Sequence, residues 1–112
     1  NMSVNFPFGV VDAPTLTATG AQAVTITNQN TILKTPTITG GITFNLTISS
    51  ELKSGAVIWV VVKTTGTETV TYGTGFFAGQ TGITGVAGKT FSQLFIYDGT
   101  DFKAASAKIQ LD

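Results

Sequence analysis

Apolar and polar residues alternate along most of this chain with a period of two. The cleanest case is "GITFNLTIS", where Ile42, Phe44, Leu46 and Ile48 share one face and Thr43, Asn45, Thr47 and Ser49 the other. That spacing is the mark of a half-buried strand. "LTATG" (16–20) and "AVTITN" (23–28) alternate in the same way. "TILKTPTITG" (31–40) continues the pattern, and Pro36 inside it points to an edge strand. "AVIWVVVK" (56–63) is an unbroken apolar run, which predicts burial on both faces with Trp59 in the core. "TETVTYG" (67–73) is expected to pair back across "TTG" as a hairpin. "TFSQLFIY" (90–97) is a strand with Leu94 to Tyr97 apolar on both sides. "SSELKSG" (49–55) reads as a polar loop. "QTGITGVAG" (80–88), with Gly82, Gly85 and Gly88, reads as another. "DGTD" is a turn, and "FKAAS" and "AKIQLD" complete the sheet.

About eight strands with turn signals at short intervals, and no helical pattern of useful length, predict an all-β fold. The expected form is an antiparallel β-sandwich, jelly-roll-like, with an extended N-terminal arm. Residues 1–14 are that arm and residues 15–112 a single β-sandwich domain. The arm carries Phe6, Phe8, Val10 and Val11, while Pro7 and Pro14 keep it out of a helix. So much apolar surface has to dock, either on its own domain or on a neighbouring subunit. A two-layer sandwich leaves each sheet one solvent face, so strands 57–62 and 94–97 also need a covering partner or the arm.

Composition sharpens this picture. The chain has 112 residues, one domain's worth, and 42% of them are hydrophobic. Only 11% are charged, against about 25% in an average domain. Six lysines balance six acidic residues and arginine is absent, which argues against nucleic-acid binding. So little charge does little to keep a bare monomer dispersed. Thr accounts for 21 residues and suits the outward positions of a pleated surface. There is no cysteine, hence no disulfide, and no stretch of 18 apolar residues to span a membrane. No secretory signal is expected, since the first lysine is Lys34 and no long apolar run follows the N-terminus. Asn1 precedes Met2, so the chain reads as carrying a cloning remnant or as a fragment of a longer one.

Candidate chemistry is sparse. Gly88-Lys89-Thr90 spells the end of a phosphate-binding loop, but the required first glycine falls on Ile83 and the residues that follow favour strand over helix. Without histidine or cysteine, imidazole acid–base chemistry, thiol nucleophiles and the usual zinc ligands are out. Asp98 and Asp101 are the best-placed carboxylate pair, and Asp98-Gly99 is explained first by an Asx turn, with a cation site as the alternative. Asn45-Leu46-Thr47 matches a glycosylation triplet, frequent by chance in a Thr-rich chain. Phe76 and Phe77, flanked by glycines, point to opposite sides, so at least one is expected at the surface. The expectation is therefore no catalytic, cofactor-binding or metal-binding residues, no cofactor, and an interface set of Phe6, Phe8, Val10, Phe76 and Phe77.

The C-terminal stretch "GVAGKTFSQLFIYDGTDFKAAS" resembles the final hairpin of small structural proteins of tailed bacteriophages, of the capsid-decoration, cement or head-fibre type. A "GKT" turn, an apolar strand, "YDG" and a closing aromatic carry the resemblance over 22 residues. It implies a non-enzymatic β-sandwich on a virion capsid surface, made in the host cytoplasm, self-associating as a homotrimer and contacting capsid or other virion proteins. The alternative is a carbohydrate- or receptor-binding module such as a fibre tip, meeting a surface glycan. A third reading is a bacterial surface or secreted β-domain cut from a longer chain. Neither nucleic acid nor membrane is expected as a partner.

Overall fold

Ten strands and no helix make up the described residues, 11–112, of the computed structural model. The arm residues Phe6, Phe8 and Val10 lie outside the described residues. The strands are β1 (Val11–Asp12), β2 (Gly20–Ile26), β3 (Asn30–Lys34), β4 (Ile42–Ile48), β5 (Val57–Lys63), β6 (Thr69–Tyr72), β7 (Ile83–Thr84), β8 (Thr90–Tyr97), β9 (Phe102–Ala104) and β10 (Ile109–Gln110). The first sheet runs β1-β3-β5-β8, and β8 shares its far edge between β10 and β9. The second sheet runs β2-β4-β6-β7. Val11 and Asp12, assigned to the arm from sequence, thus belong to the first sheet.

From β1 to β6 the chain alternates between the two sheets, and each strand lies parallel beside the one two places before it. Four of the eight strand pairings are parallel, so the expected antiparallel, jelly-roll winding is not what forms. The physical reason is that side-chain alternation has a period of two in both kinds of ladder and carries no information on the direction of the neighbour. A parallel pair needs a long crossover. Here that crossover is a strand of the opposite sheet.

Three local expectations change with the winding. β6 does not fold back on β5; it sits in the other sheet, parallel to β4 and antiparallel to β7. The "TTG" segment is instead a corner between sheets, where the Glu68 carboxylate accepts hydrogen bonds from the amides of Thr65 and Gly66 and from the Thr65 hydroxyl. Those bonds, the hydroxyl's first, hold the Glu68 carboxyl below its usual range. Pro36 lies beyond the end of β3, and β3 is an interior strand between β1 and β5. The glycine-rich stretch read as loop contains the short strand β7.

Inward-facing residues of both sheets form one core. Val24, Leu46 and Val70 from the second sheet are buried, as are Leu33, Val60 and Phe95 from the first. The Tyr72 and Phe95 rings meet edge-on across the layers at 4.5 Å, and Phe76 packs on Phe95 at 5.0 Å. The Tyr72 hydroxyl donates to Gln93 Oε1 at 2.9 Å, a buried bond that joins the sheets. Gln93 Nε2 in turn donates to the Ser106 carbonyl at 3.1 Å, so neither end of this buried amide is left unpaired. Burial pushes the Tyr72 phenol well above its ordinary range. Gly75, with φ +90°, brings the chain so close to β4 that a Cβ would sit 2.6 Å from Leu46 Cβ. Only glycine fits that approach, and it delivers Phe76 into the core.

Replacing Phe95 by alanine should remove the centre of this aromatic cluster and cost about 3–5 kcal/mol. The urea unfolding midpoint measures it; a loss under about 1 kcal/mol would mean that the sheets are not joined through this ring.

Candidate functional site

In β5 the inward positions are Ile58, Val60 and Val62, all fully buried. The same unbroken apolar run therefore turns Val57, Trp59 and Val61 outward. β8 does likewise, sending Phe91, Gln93 and Phe95 inward and Ser92, Leu94 and Ile96 outward. Trp59, expected in the core, is 49% exposed. An apolar run gives no phase to a period-two reading, which is why the sequence placed it inside.

Strand register assembles these outward residues into rows across the first sheet. Ile32, Trp59 and Leu94 form the central row. Val11, Asn30, Val57 and Ile96 form the row on one side, ending at Lys103. Lys34, Val61, Ser92 and Ile109 form the row on the other. Leu111, two residues past Ile109, extends the face beside Thr90, to whose carbonyl its amide donates. Five of the seven exposed large hydrophobic residues of the described chain (Val11, Trp59, Ile96, Ile109 and Leu111) sit on this face. Lysines 34, 63 and 103 stand at its margins.

The outer face of the second sheet is dressed differently. Thr25 and Thr47 lie in register there, as do Thr43 with Thr71 and Thr69 with Thr84. Ala21, Ala23 and Asn45 complete it, so it has neither charge nor large apolar side chains. Among the described residues, only the outer face of the first sheet exposes large apolar area.

The Phe76–Phe77 pair, where Phe76 makes an isolated bridge to Phe102, divides between the core and the surface. Phe76 is buried at 6%, packed among Tyr72, Phe95 and Phe102, and offers no ring to a partner. Phe77 is half exposed, with the Lys103 ammonium 5.1 Å from its ring centroid. Lys103 also donates to Asp98 Oδ2 and Asp101 Oδ1, each at 2.5 Å. Phe77 thus stands at the β9 margin of the apolar face.

The Asp98 turn is an Asx turn: Asp98 Oδ1 accepts from the amides of Thr100 and Asp101, and Gly99 adopts φ +99°. Its carboxylate is held at about 2 by the Lys103 bond first and the two amides next. The same contacts, Asp101's first, raise the Lys103 ammonium. A cation at this turn would have to displace Lys103. Among the described residues no three of His, Cys, Asp and Glu gather in a way that could hold a metal. At the "GKT" turn, Gly88 takes φ +71° and β8 follows, not a helix. Lys89 Nζ donates there to the Asp112 carbonyl, while the Asp112 carboxylate accepts from the amide and hydroxyl of Thr90. The motif thus fastens the C-terminal end to β8. A cleft of about 240 Å³ opens beside Gln93 and Lys108, but the Gln93 amide is already engaged by Tyr72 and Ser106.

The depressed Asp98 carboxyl fixes a sign. A lowered folded-state value adds stability that is complete above the unfolded value of ~3.9 and is lost as pH falls towards 2. The Asp98 side-chain carbon signal should therefore titrate near pH 2, and Lys103→Met should move it back towards the ordinary range. A midpoint near that ordinary range in the unaltered protein would contradict the Lys103 contact.

The comparisons with known proteins end without a relative: no protein-family model, curated protein or solved structure matches this chain.

Proposed function

We propose that this chain is a non-enzymatic assembly module, a β-sandwich that packs against further copies of itself through the outer face of its first sheet. The observation that carries the reading is the central row Ile32–Trp59–Leu94, an apolar stripe with a half-exposed tryptophan at its centre. Contiguous exposed apolar area of this kind marks interaction surfaces, and Trp is among the residue types enriched in binding hot spots. Five strand positions and a seven-residue β5 make a face about 20 Å by 23 Å, roughly 450 Å² on each copy. Two such faces together approach the ~1,000 Å² that separates specific interfaces from casual contacts. The six lysines and six acidic residues cancel, so crowded copies do not repel one another through net charge.

The setting we propose for this association is a tailed-phage virion, where the module decorates, cements or extends the capsid surface. The resemblance of residues 85–106 supports that setting, and it implies a homotrimer, in which each such face would meet part of the faces of two other copies rather than one face whole. The carbohydrate-binding alternative needs exposed rings beside polar groups: Trp59 is exposed, but its row neighbours are the apolar Ile32 and Leu94, Tyr72 is buried, and the exposed Phe77 carries Lys103 over its ring.

Light scattering coupled to size exclusion tests the reading. The full chain should run as a closed oligomer, and Trp59→Lys should bring it to monomer mass while the unfolding midpoint of the separated subunit stays that of a folded domain. A full chain that is monomeric at all concentrations would overturn the reading, as would a Trp59→Lys variant that keeps its oligomeric mass.

A further inference from the structure

Resting on that reading, we propose that the segment seated on the Trp59 face is residues 2–10 of a neighbouring copy, so that the module assembles by exchange of its N-terminal arms. The segment reads Met2, Val4, Phe6, Phe8 and Val10 at every even position, with Ser3, Asn5, Pro7 and Gly9 between them. This is a strand's alternation with one wholly apolar side. It is the complement of an outward face that presents Val57, Trp59, Val61, Leu94 and Ile96.

Reach and area agree with this. Nine extended residues span up to about 30–32 Å, more than the face in either direction. Two bare sheets packed face to face fall just short of a stable interface; an arm seated on each face in their place buries that face together with two phenylalanines of about 150–250 Å² each. The segment carries no charged side chain, so seating it leaves no carboxylate or ammonium of its own buried without a partner.

Direction favours the neighbour's face. β1 runs parallel to β3 and begins at Val11 opposite Asn30, the first residue of β3. If the segment continued straight ahead of Val11 it would leave the sheet at that end, towards a copy placed there, whereas covering its own Trp59 would require it to turn back. Pro7 also withholds one backbone donor, so the segment suits a lining held by side chains more than a full ladder strand.

Trp59 is the sole tryptophan of the chain and sits at the centre of the proposed seat, so its emission reports occupancy directly. The experiment compares the full chain, a form lacking residues 1–10, and Phe6→Ser/Phe8→Ser, by mass and by Trp59 emission. The exchange predicts an oligomer with blue-shifted emission for the full chain. It predicts red-shifted emission and a shift to monomer mass for both altered forms. The double substitution keeps the test decisive if the truncated form does not fold. If both altered forms keep the oligomeric mass and a shielded Trp59, arm exchange is overturned and direct face-to-face packing stands. If the full chain is a monomer whose Trp59 is shielded, and that shielding is lost on truncation, the arm covers its own sheet. Arm exchange and self-association are then both overturned.

Discussion

From β1 to β6, each time the chain crosses from one sheet to the other it returns parallel beside its previous pass, and in the second sheet several positions stack like over like. Val24, Thr25 and Ile26 of β2 lie against Leu46, Thr47 and Ile48 of β4. Ile42 and Phe44 of β4 lie against Val70 and Tyr72 of β6. The same winding places β1, β3 and β5 side by side in the other layer. Register has to hold because the side-chain period is two: a slip of one residue would turn every inward side chain of a strand to solvent. The core, the cross-layer bond from Tyr72 to Gln93 and the rows on both outer faces all depend on it.

From that constraint follows the difference between the two outer faces. On the second sheet, outward positions hold Thr, Ala and Asn, which water solvates without cost. On the first, β5 and β8 are apolar at both parities, so filling the core with Ile58, Val60 and Phe95 leaves Val57, Trp59, Leu94 and Ile96 outside. The tightly fastened parts lie around this face. Lys103 locks the Asp98 turn at one margin, and Asp112 holds the C-terminal end to β8 at another. In both clusters the carboxylates are engaged by Lys103, backbone amides or Thr90, whereas the apolar centre between them is uncovered among the described residues. That contrast is the reason for reading the module as a builder of contacts.

Much of this was legible in the chain. The strand content, the inward set Ile42, Phe44 and Leu46, and the Asx turn at Asp98-Gly99 follow from alternation and turn chemistry. The excess apolarity of residues 57–62 and 94–97 was also plain, and the structure turns half of each run outward. What alternation could not convey was strand direction, so parallel winding was missed. One signal for it was available: "VTI" at 24–26 recurs as "LTI" at 46–48, the same pair that the register stacks. Trp59 was misplaced because an unbroken apolar run has no phase, and Phe76 because adjacency tells that two rings diverge, not which one enters the core. Ile32, Ile109 and Leu111 went unnoticed because each belongs to the face only through its register with a distant strand.

The central claim is that the Trp59 face is covered by another copy of the chain. Acrylamide quenching of Trp59 across a dilution series of the full chain tests it most directly. The account predicts a shielded tryptophan at high concentration that becomes accessible as the protein is diluted. Accessibility that is high and unchanged over the whole series would show that nothing covers the face. Shielding that survives every dilution, with a monomer's mass throughout, would show that the chain covers it alone. Either result would contradict the account.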